Sequence, residues 1–259
     1  MLLPPRASRI ALAATAPVVL AQGRAVRRST PLLPEANGPA TVHVGAGDAP
    51  VRLLVLGDST VAGIGVATHA EGLTGGLARE LAGRVDRPVA ATAIGRGGAT
   101  TRDLVTDFLA AADAAGPWDA VFVSIGANDA LAARSRRAFV RDLATVLDRL
   151  EAGSPDAVLL VSSLPGFRFF DLLPQPLRWN LDLHARSLEA AARDALAARG
   201  HGWMTPPATG YTDDFFAEDR FHPGIVGYAQ WSAWIAEAAD AAGELEPLRR
   251  PRPSDASGA

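Results

Sequence analysis

Along the chain, short runs of consecutive apolar residues alternate with longer stretches in which leucines and alanines return every three to four positions. The first run, Val51–Leu56, carries hydrophobic residues on both faces, as a strand covered by helices on both sides requires. Similar runs predict strands over 88–95, 119–126 and 156–165, and "GWMTP" supplies a short fifth. Between them, Leu73, Leu77 and Leu81 share one face of a helix over 70–84. Further helices are expected over 100–115, 135–151, 178–199 and 224–242, the first of them opened by threonines suited to capping. Strands and helices in alternation imply βαβ units with right-handed crossovers. The expected fold class is therefore α/β, a three-layer α/β/α arrangement around a mostly parallel five-stranded sheet.

Composition narrows the choices only in part. A chain of 259 residues is long enough for one large α/β domain, and 48% hydrophobic against 20% charged residues excludes a wholly disordered one. A net charge of −3 gives no basic footprint for nucleic acid. The absence of cysteine removes disulfides, thiolate nucleophiles and cysteine-ligated metals, and leaves the compartment open.

Three segments follow from local composition. Residues 1–50 read as an apolar N-terminal segment followed by a linker, 51–243 as the globular domain and 244–259 as a disordered tail rich in Pro, Arg and Ser. Within the first, Arg6 and Arg9 precede "IALAATAPVVLA" (10–21), which is too short to span a bilayer and suits the apolar part of a signal peptide. Pro17 and the following Arg24, Arg27 and Arg28 favour a plain apolar extension instead. Export or N-terminal membrane association stands level with a cytoplasmic location. Residues 29–50, with four prolines, read as linker.

The chemistry sits at the strand ends. The first strand runs into Gly57-Asp58-Ser59-Thr60, the second into "GRGGATT" (95–101) and the third into Gly126-Ala127-Asn128-Asp129. In a parallel sheet these turns share the edge where ligands gather. A fourth piece, "DDFFAEDRFHPG", sets Asp219 and His222 three residues apart just before the last helix. Acyl transfer needs a nucleophile, a base, a group that orients the base, and donors for the oxyanion. Ser59 is the candidate nucleophile, His222 the base and Asp219 its partner. Oxyanion donors would be the backbone N–H of Ser59, taken to lie at a helix N-terminus, with Gly98 and the Asn128 amide. Each piece also has a plain reading: a Gly-Asp-Ser turn, glycines that permit positive φ or cradle a phosphate, a helix cap at Asn128-Asp129, and a surface ion pair.

All four pieces occur together and in order, and the set resembles the SGNH hydrolases, the GDSL lipase/esterase family. The matching blocks read "LGDSTVAGIG", "AIGRGGATTRDL", "SIGANDAL" and "AEDRFHPGIVGYAQWSAWI", across about residues 51–240. The resemblance implies Ser59 as nucleophile, Gly98 and Asn128 as oxyanion donors, and His222 with Asp219 as the base pair. The chain departs from the family at Ala93, where an asparagine is common before the second block, and Gly97-Gly98 offers two glycines for one role. The implied activity is hydrolysis of a small-molecule, lipid or carbohydrate acyl ester. An acyltransferase using the same groups, or a non-catalytic lipid- or carbohydrate-binding relative, are the alternatives.

Other features add less. His43 falls in the linker, His69 in a loop, His184 on a helix surface and His201 in a turn, all read as structural or solvated. No H-E-x-x-H spacing occurs, so no catalytic metal is expected, and neither a phosphate-binding G-x-x-x-x-G-K-[ST] nor a G-x-S-x-G elbow is present. No cofactor is expected. Between the fourth strand and the long helix, "LPGFRFFDLLPQPLRWNL" carries Phe167, Phe169, Phe170 and Trp179. These either seal the core under a long connection or wall a groove for an acyl chain.

Overall fold

The computed structural model describes residues 8–250. Six strands form one sheet in the order β1-β3-β2-β4-β5-β6: β1 Thr41–Val44, β2 Val51–Gly57, β3 Val89–Gly95, β4 Ala120–Ser124, β5 Val158–Val161 and β6 Trp203–Met204. All neighbours run parallel except β1, which pairs antiparallel with β3, Thr41 opposite Thr92 and Val44 opposite Val89. The three-layer, mostly parallel sheet is as expected, with one strand more. That strand lies in the segment read as linker. Four residues of alternating pattern between Pro39 and Pro50 carry too little signal of their own, and the β3 backbone supplies the pairing.

The pleat of the central strands builds two cores. Leu54 and Leu56 of β2, with Val121 and Val123 of β4, enter one cluster; Leu53 and Val55, with Ala120 and Phe122, enter the other. The helices are α1 Ser8–Ser29, α2 Leu73–Val85, α3 Thr101–Asp103, α4 Leu109–Ala115, α5 Ala127–Leu131, α6 Arg136–Gly153, α7 Leu177–Arg199 and α8 Ile225–Ala241. A π-helical turn, Leu104–Phe108, joins α3 to α4. Helices α2 and α8 cover the second cluster, through Leu77, Leu81, Tyr228 and Ile235. Helices α4, α6 and α7 cover the first, through Leu109, Phe139, Leu143 and Leu188.

Both ends of the described chain pack onto this body. Helix α1 lies along α7: Gln22 Nε2 donates to the Gln175 carbonyl at 2.7 Å, and Leu177 N donates to Gln22 Oε1 at 3.1 Å. Ser8 Oγ lies 3.1 Å from His184 Nδ1, and His184 Nε2 lies 3.0 Å from the Arg134 carbonyl. His184 is therefore fully buried rather than on a helix surface, because α1 covers it. His43, read as linker, lies on β1. Among the described residues no helix is long and apolar enough to cross a membrane; Arg6 and the rest of residues 1–7 lie outside them. At the other end the tail reading fails from Glu244 to Arg249. Leu245 and Leu248 are buried against the second cluster, Glu246–Arg249 forms a 3-10 helix, and Arg87 Nη1 donates to the carbonyls of Leu248 and Arg250. Residues 251–259 lie outside the described residues.

Glycine is demanded where β2 meets β4. A Cβ on Gly57 would stand 1.9 Å from the Ser124 carbonyl oxygen, so a side chain there must push the two central strands apart. Gly57→Ala should lower the unfolding free energy by about 3 kcal/mol or more, as overpacking of a tight core does. Gly83→Ala, within α2 and with open space around it, should raise it by roughly 0.5–1 kcal/mol. Urea unfolding of the two variants beside the parent chain measures both; equal behaviour would mean that the β2–β4 contact can relax.

Candidate active site

Register brings three of the four blocks side by side. Gly57 pairs with Gly95 of β3 and with Ser124 of β4, so the turns that follow these strands leave the sheet at one level. Ser59 sits in the first turn, not at a helix N-terminus: residues 58–67 wind through successive turns, and α2 begins only at Leu73. Val61 and Ala62 donate to the Asp58 carbonyl at 3.1 and 3.0 Å, and Ile64 N to the Ser59 carbonyl at 3.0 Å, which fixes the serine on a tight coil.

The fourth block arrives from the far end of the sequence. His222 Nε2 lies 3.0 Å from Ser59 Oγ, and His222 Nδ1 lies 2.6 Å from Asp219 Oδ2. A carboxylate only accepts, so Nδ1 carries the proton and Nε2 is left to accept from the serine hydroxyl. Asp219 is buried, and its other oxygen, Oδ1, accepts the backbone N–H of Phe221 and of His222, each at 2.9 Å. Burial alone would raise this carboxyl, but the His222 ring and the two N–H groups outweigh it and hold the group below its ordinary value. Arg220, between these residues, adopts φ +56°, and the turn thereby points both N–H groups at one oxygen.

Around Ser59 several donors are uncommitted. The backbone N–H groups of Ser59 and Gly98 make no hydrogen bond among the described residues. Asn128 Nδ2 donates to the Ala99 carbonyl at 2.9 Å and keeps its second hydrogen. Gly97 N–H is already given to Glu35 Oε1 at 2.7 Å, which separates the two adjacent glycines: Gly98, at φ +78°, is the one with a free donor. Asp129, fully buried beside Asn128, accepts from Thr101 N and Thr101 Oγ1 at 2.9 and 3.0 Å and from Arg134 Nη1 at 2.7 Å, so it ties the second block to the third. The sequence alone offered Asp129 only as a cap and Glu35 not at all.

With this geometry in view, comparison with known proteins is decisive about ancestry. The model of the GDSL-like Lipase/Acylhydrolase family matches residues 55–230. The chain belongs to that family. It is 30% identical over 188 residues to a GDSL-like esterase of Mycobacterium tuberculosis, a match covering 69% of this chain and 58% of that protein, less than two thirds of its length. The fold matches a lipase from a goat rumen metagenome with TM-score 0.60 and 14% identity, over 75% of this chain and 98% of the other. It also matches a family 3 carbohydrate esterase of Clostridium thermocellum with TM-score 0.59 and 16% identity, over 78% and 100%.

Beside Ser59 this GDSL-family chain holds a cavity of about 460 Å³. Its walls include Phe170, Tyr211, Phe216, Phe221, Trp231 and Trp234. Of the four residues picked from the connection after β5, only Phe170 lines it. Phe167 is buried in the first core, Phe169 lies under the Arg168 guanidinium and edge-on to Tyr211, and Trp179 is exposed on α7. The other walls come from "GYTDDFFAEDRF", whose aromatics precede His222, and from one face of α8, where Trp231 and Trp234 stand three apart.

Asp58, next to the serine, is the most perturbed carboxyl of the site. Burial raises it to about 6, against the pull of hydrogen bonds from Thr60 N and Thr60 Oγ1, both to Oδ1 at 3.1 Å. Because the folded value lies above the ordinary 3.8, the folded chain binds this proton more tightly than the unfolded chain does. The group's effect is absent below about pH 4, and stability declines by roughly 3 kcal/mol as pH rises through about 6. Asp58→Asn stays neutral throughout. The stability of Asp58→Asn minus that of the parent chain, from urea unfolding at stepped pH, should therefore climb by about 3 kcal/mol between pH 4 and 7. A difference that does not change with pH would mean Asp58 titrates at its ordinary value.

Proposed function

We propose that the chain is a serine carboxylic ester hydrolase working through a Ser59-His222-Asp219 triad and an acyl-enzyme intermediate. The observation that carries this reading is the continuous relay, 3.0 Å from Ser59 Oγ to His222 and 2.6 Å from His222 to Asp219, joining residues 163 positions apart. Ser59 Oγ attacks the ester carbonyl while His222 Nε2 takes its proton. Asp219 keeps the ring in the required tautomer and stabilises the imidazolium that forms. Negative charge developing on the carbonyl oxygen is met by the free N–H groups of Ser59 and Gly98 and the spare Asn128 hydrogen; removing one such donor typically costs about 2.7–4 kcal/mol. His222 then returns the proton to the departing alkoxide, leaving the acyl group on Ser59 Oγ. A water molecule, deprotonated by the same histidine, releases the acid. The aromatic cavity supports an apolar acyl group as the part of the substrate that is gripped.

Two measurements test this. Ser59→Ala and His222→Ala should each lower kcat on p-nitrophenyl acyl esters by about 10⁴-fold or more, and the double variant should be little worse than either, since the two act as a unit. Multiplying effects, or an active Ser59→Ala, would sink the triad. Across the same ester series, kcat/KM should rise with acyl length by about fourfold per CH₂, the equivalent of about 0.8 kcal/mol, until the cavity is filled. Ala208→Trp, at the cavity wall, should end that climb at shorter chains and spare acetyl ester hydrolysis. A flat profile in the parent chain would assign the site to small acyl groups.

A further inference from the structure

We infer that residues 35–37, before the first strand, are a positioning strap for the active site, and that the Glu35 carboxylate holds the oxyanion loop to the nucleophile loop. The inference rests on the reading of Gly98 as an oxyanion donor. Glu35 Oε1 accepts the Gly97 N–H at 2.7 Å. The two residues that follow dock on the coil carrying Ser59: Ala36 N donates to the Ala62 carbonyl and Asn37 N to the Ala67 carbonyl, each at 2.9 Å, and Asn37 forms a bridge with Thr68. Ala62 N in turn donates to the Asp58 carbonyl at 3.0 Å, one residue from the serine. A chain of hydrogen bonds thus runs from Gly97 through the strap to the residue before Ser59.

The coil is shaped to receive the strap. Gly63 adopts φ +72°, and a Cβ there would stand 2.6 Å from the Ala36 Cβ, so a side chain would drive the strap off. On the oxyanion side, Gly97 and Gly98 are adjacent, and glycine is the residue with the most backbone freedom to lose. A loop with two of them in sequence does not hold an N–H in one direction unaided. Pinning the Gly97 N–H restricts the torsions of Gly97, and these set the plane of the next peptide, the one that bears the Gly98 N–H. The Ile64 side chain supports the same spot, 3.1 Å from where a Gly97 Cβ would be. Glu35 is itself exposed and serves no core; its hydrogen bond among the described residues is the one to Gly97, with the His69 ring near enough to feel its charge. It touches no substrate; it is a positioning residue.

The test uses the full chain with Glu35→Ala and Glu35→Gln, assayed on p-nitrophenyl butyrate, and the affinity of each for an alkyl trifluoromethyl ketone, whose adduct with the serine carries an oxyanion. Glu35→Ala should lower kcat about tenfold, short of the 10²–10³ lost when an oxyanion donor is removed outright, and weaken the ketone by the same factor. KM should stay within about twofold, because the strap acts on a donor used most strongly in the transition state. Glu35→Gln keeps the accepting oxygen and should recover most of the rate. An unchanged kcat in Glu35→Ala, or an equal loss in Glu35→Gln, overturns the strap. Loss of kcat with no change in ketone affinity overturns it as well. Ser59→Ala in the same assay separates the two levels of the argument: if it is inactive while Glu35→Ala is unimpaired, the triad stands and only the strap falls.

Discussion

The contact on which the site depends is the approach of β2 to β4 at Gly57. A backbone carbonyl occupies the space a side chain would need there, and Asp58 N completes the contact by donating to the same Ser124 oxygen at 3.2 Å. With the two strands locked at that level, Ser59 emerges two residues beyond the sheet, and the turn after β4 emerges beside it. Gly95 plays the matching part on the other flank, where a Cβ would stand 2.9 Å from the Val61 Cβ and 3.0 Å from the Gly57 carbonyl. The coil carrying Ser59 is thus packed between two neighbouring turns, which carry Gly98 and Asn128, the proposed oxyanion donors. Thr60 fastens it further: its hydroxyl donates to Asp58 and meets the Ser124 hydroxyl at 2.9 Å. The polar groups under the serine satisfy one another, which a buried cluster must do if it is not to cost the fold its stability.

How far this was legible in the sequence depends on whether each signal was local. The strands of the sheet's centre announce themselves as apolar runs, and Gly57-Asp58-Ser59 and Asp219-x-x-His222 are contained within a few residues, so topology and the principal groups could be read directly. What could not be read is held together by distant pairing. β1 is a strand only because β3 offers an edge. His184 looks solvated on its own helix and is buried by α1, whose Ser8 lies 176 residues away in the chain. Leu245 and Leu248 sit in a segment of disordered composition yet find the α2–α8 core. The choice between core and cavity wall after β5 stayed open for the same reason. The connection after β5 is conspicuous for its phenylalanines, but Phe167 turns into the core, and the wall is shared with the aromatics of residues 211–221 on the other side of the site.

The arrangement of charge around the imidazole follows from the same packing. Two carboxylates face His222 from different elements. Asp219 is bonded to it directly, while Asp58 is coupled to it through space: a charged His222 makes ionised Asp58 easier to form, even though burial opposes that ionisation more strongly. Such coupling is reciprocal. In the proposed mechanism His222 takes the serine proton, and the imidazolium so formed favours the ionisation of Asp58. In that mechanism the same negative charge acts against an oxyanion forming near Ser59, and the Arg134 guanidinium is engaged by Asp129 and Asp142. On the proposed reading, balance falls to the neutral donors of Ser59, Gly98 and Asn128, which would supply positive potential without a countercharge when held in place. This is why buried Asp129 and exposed Glu35 matter more than their distance from the substrate suggests. Each carboxylate commits its charge to bonds that orient a loop, and each thereby fixes the direction of that loop's dipoles.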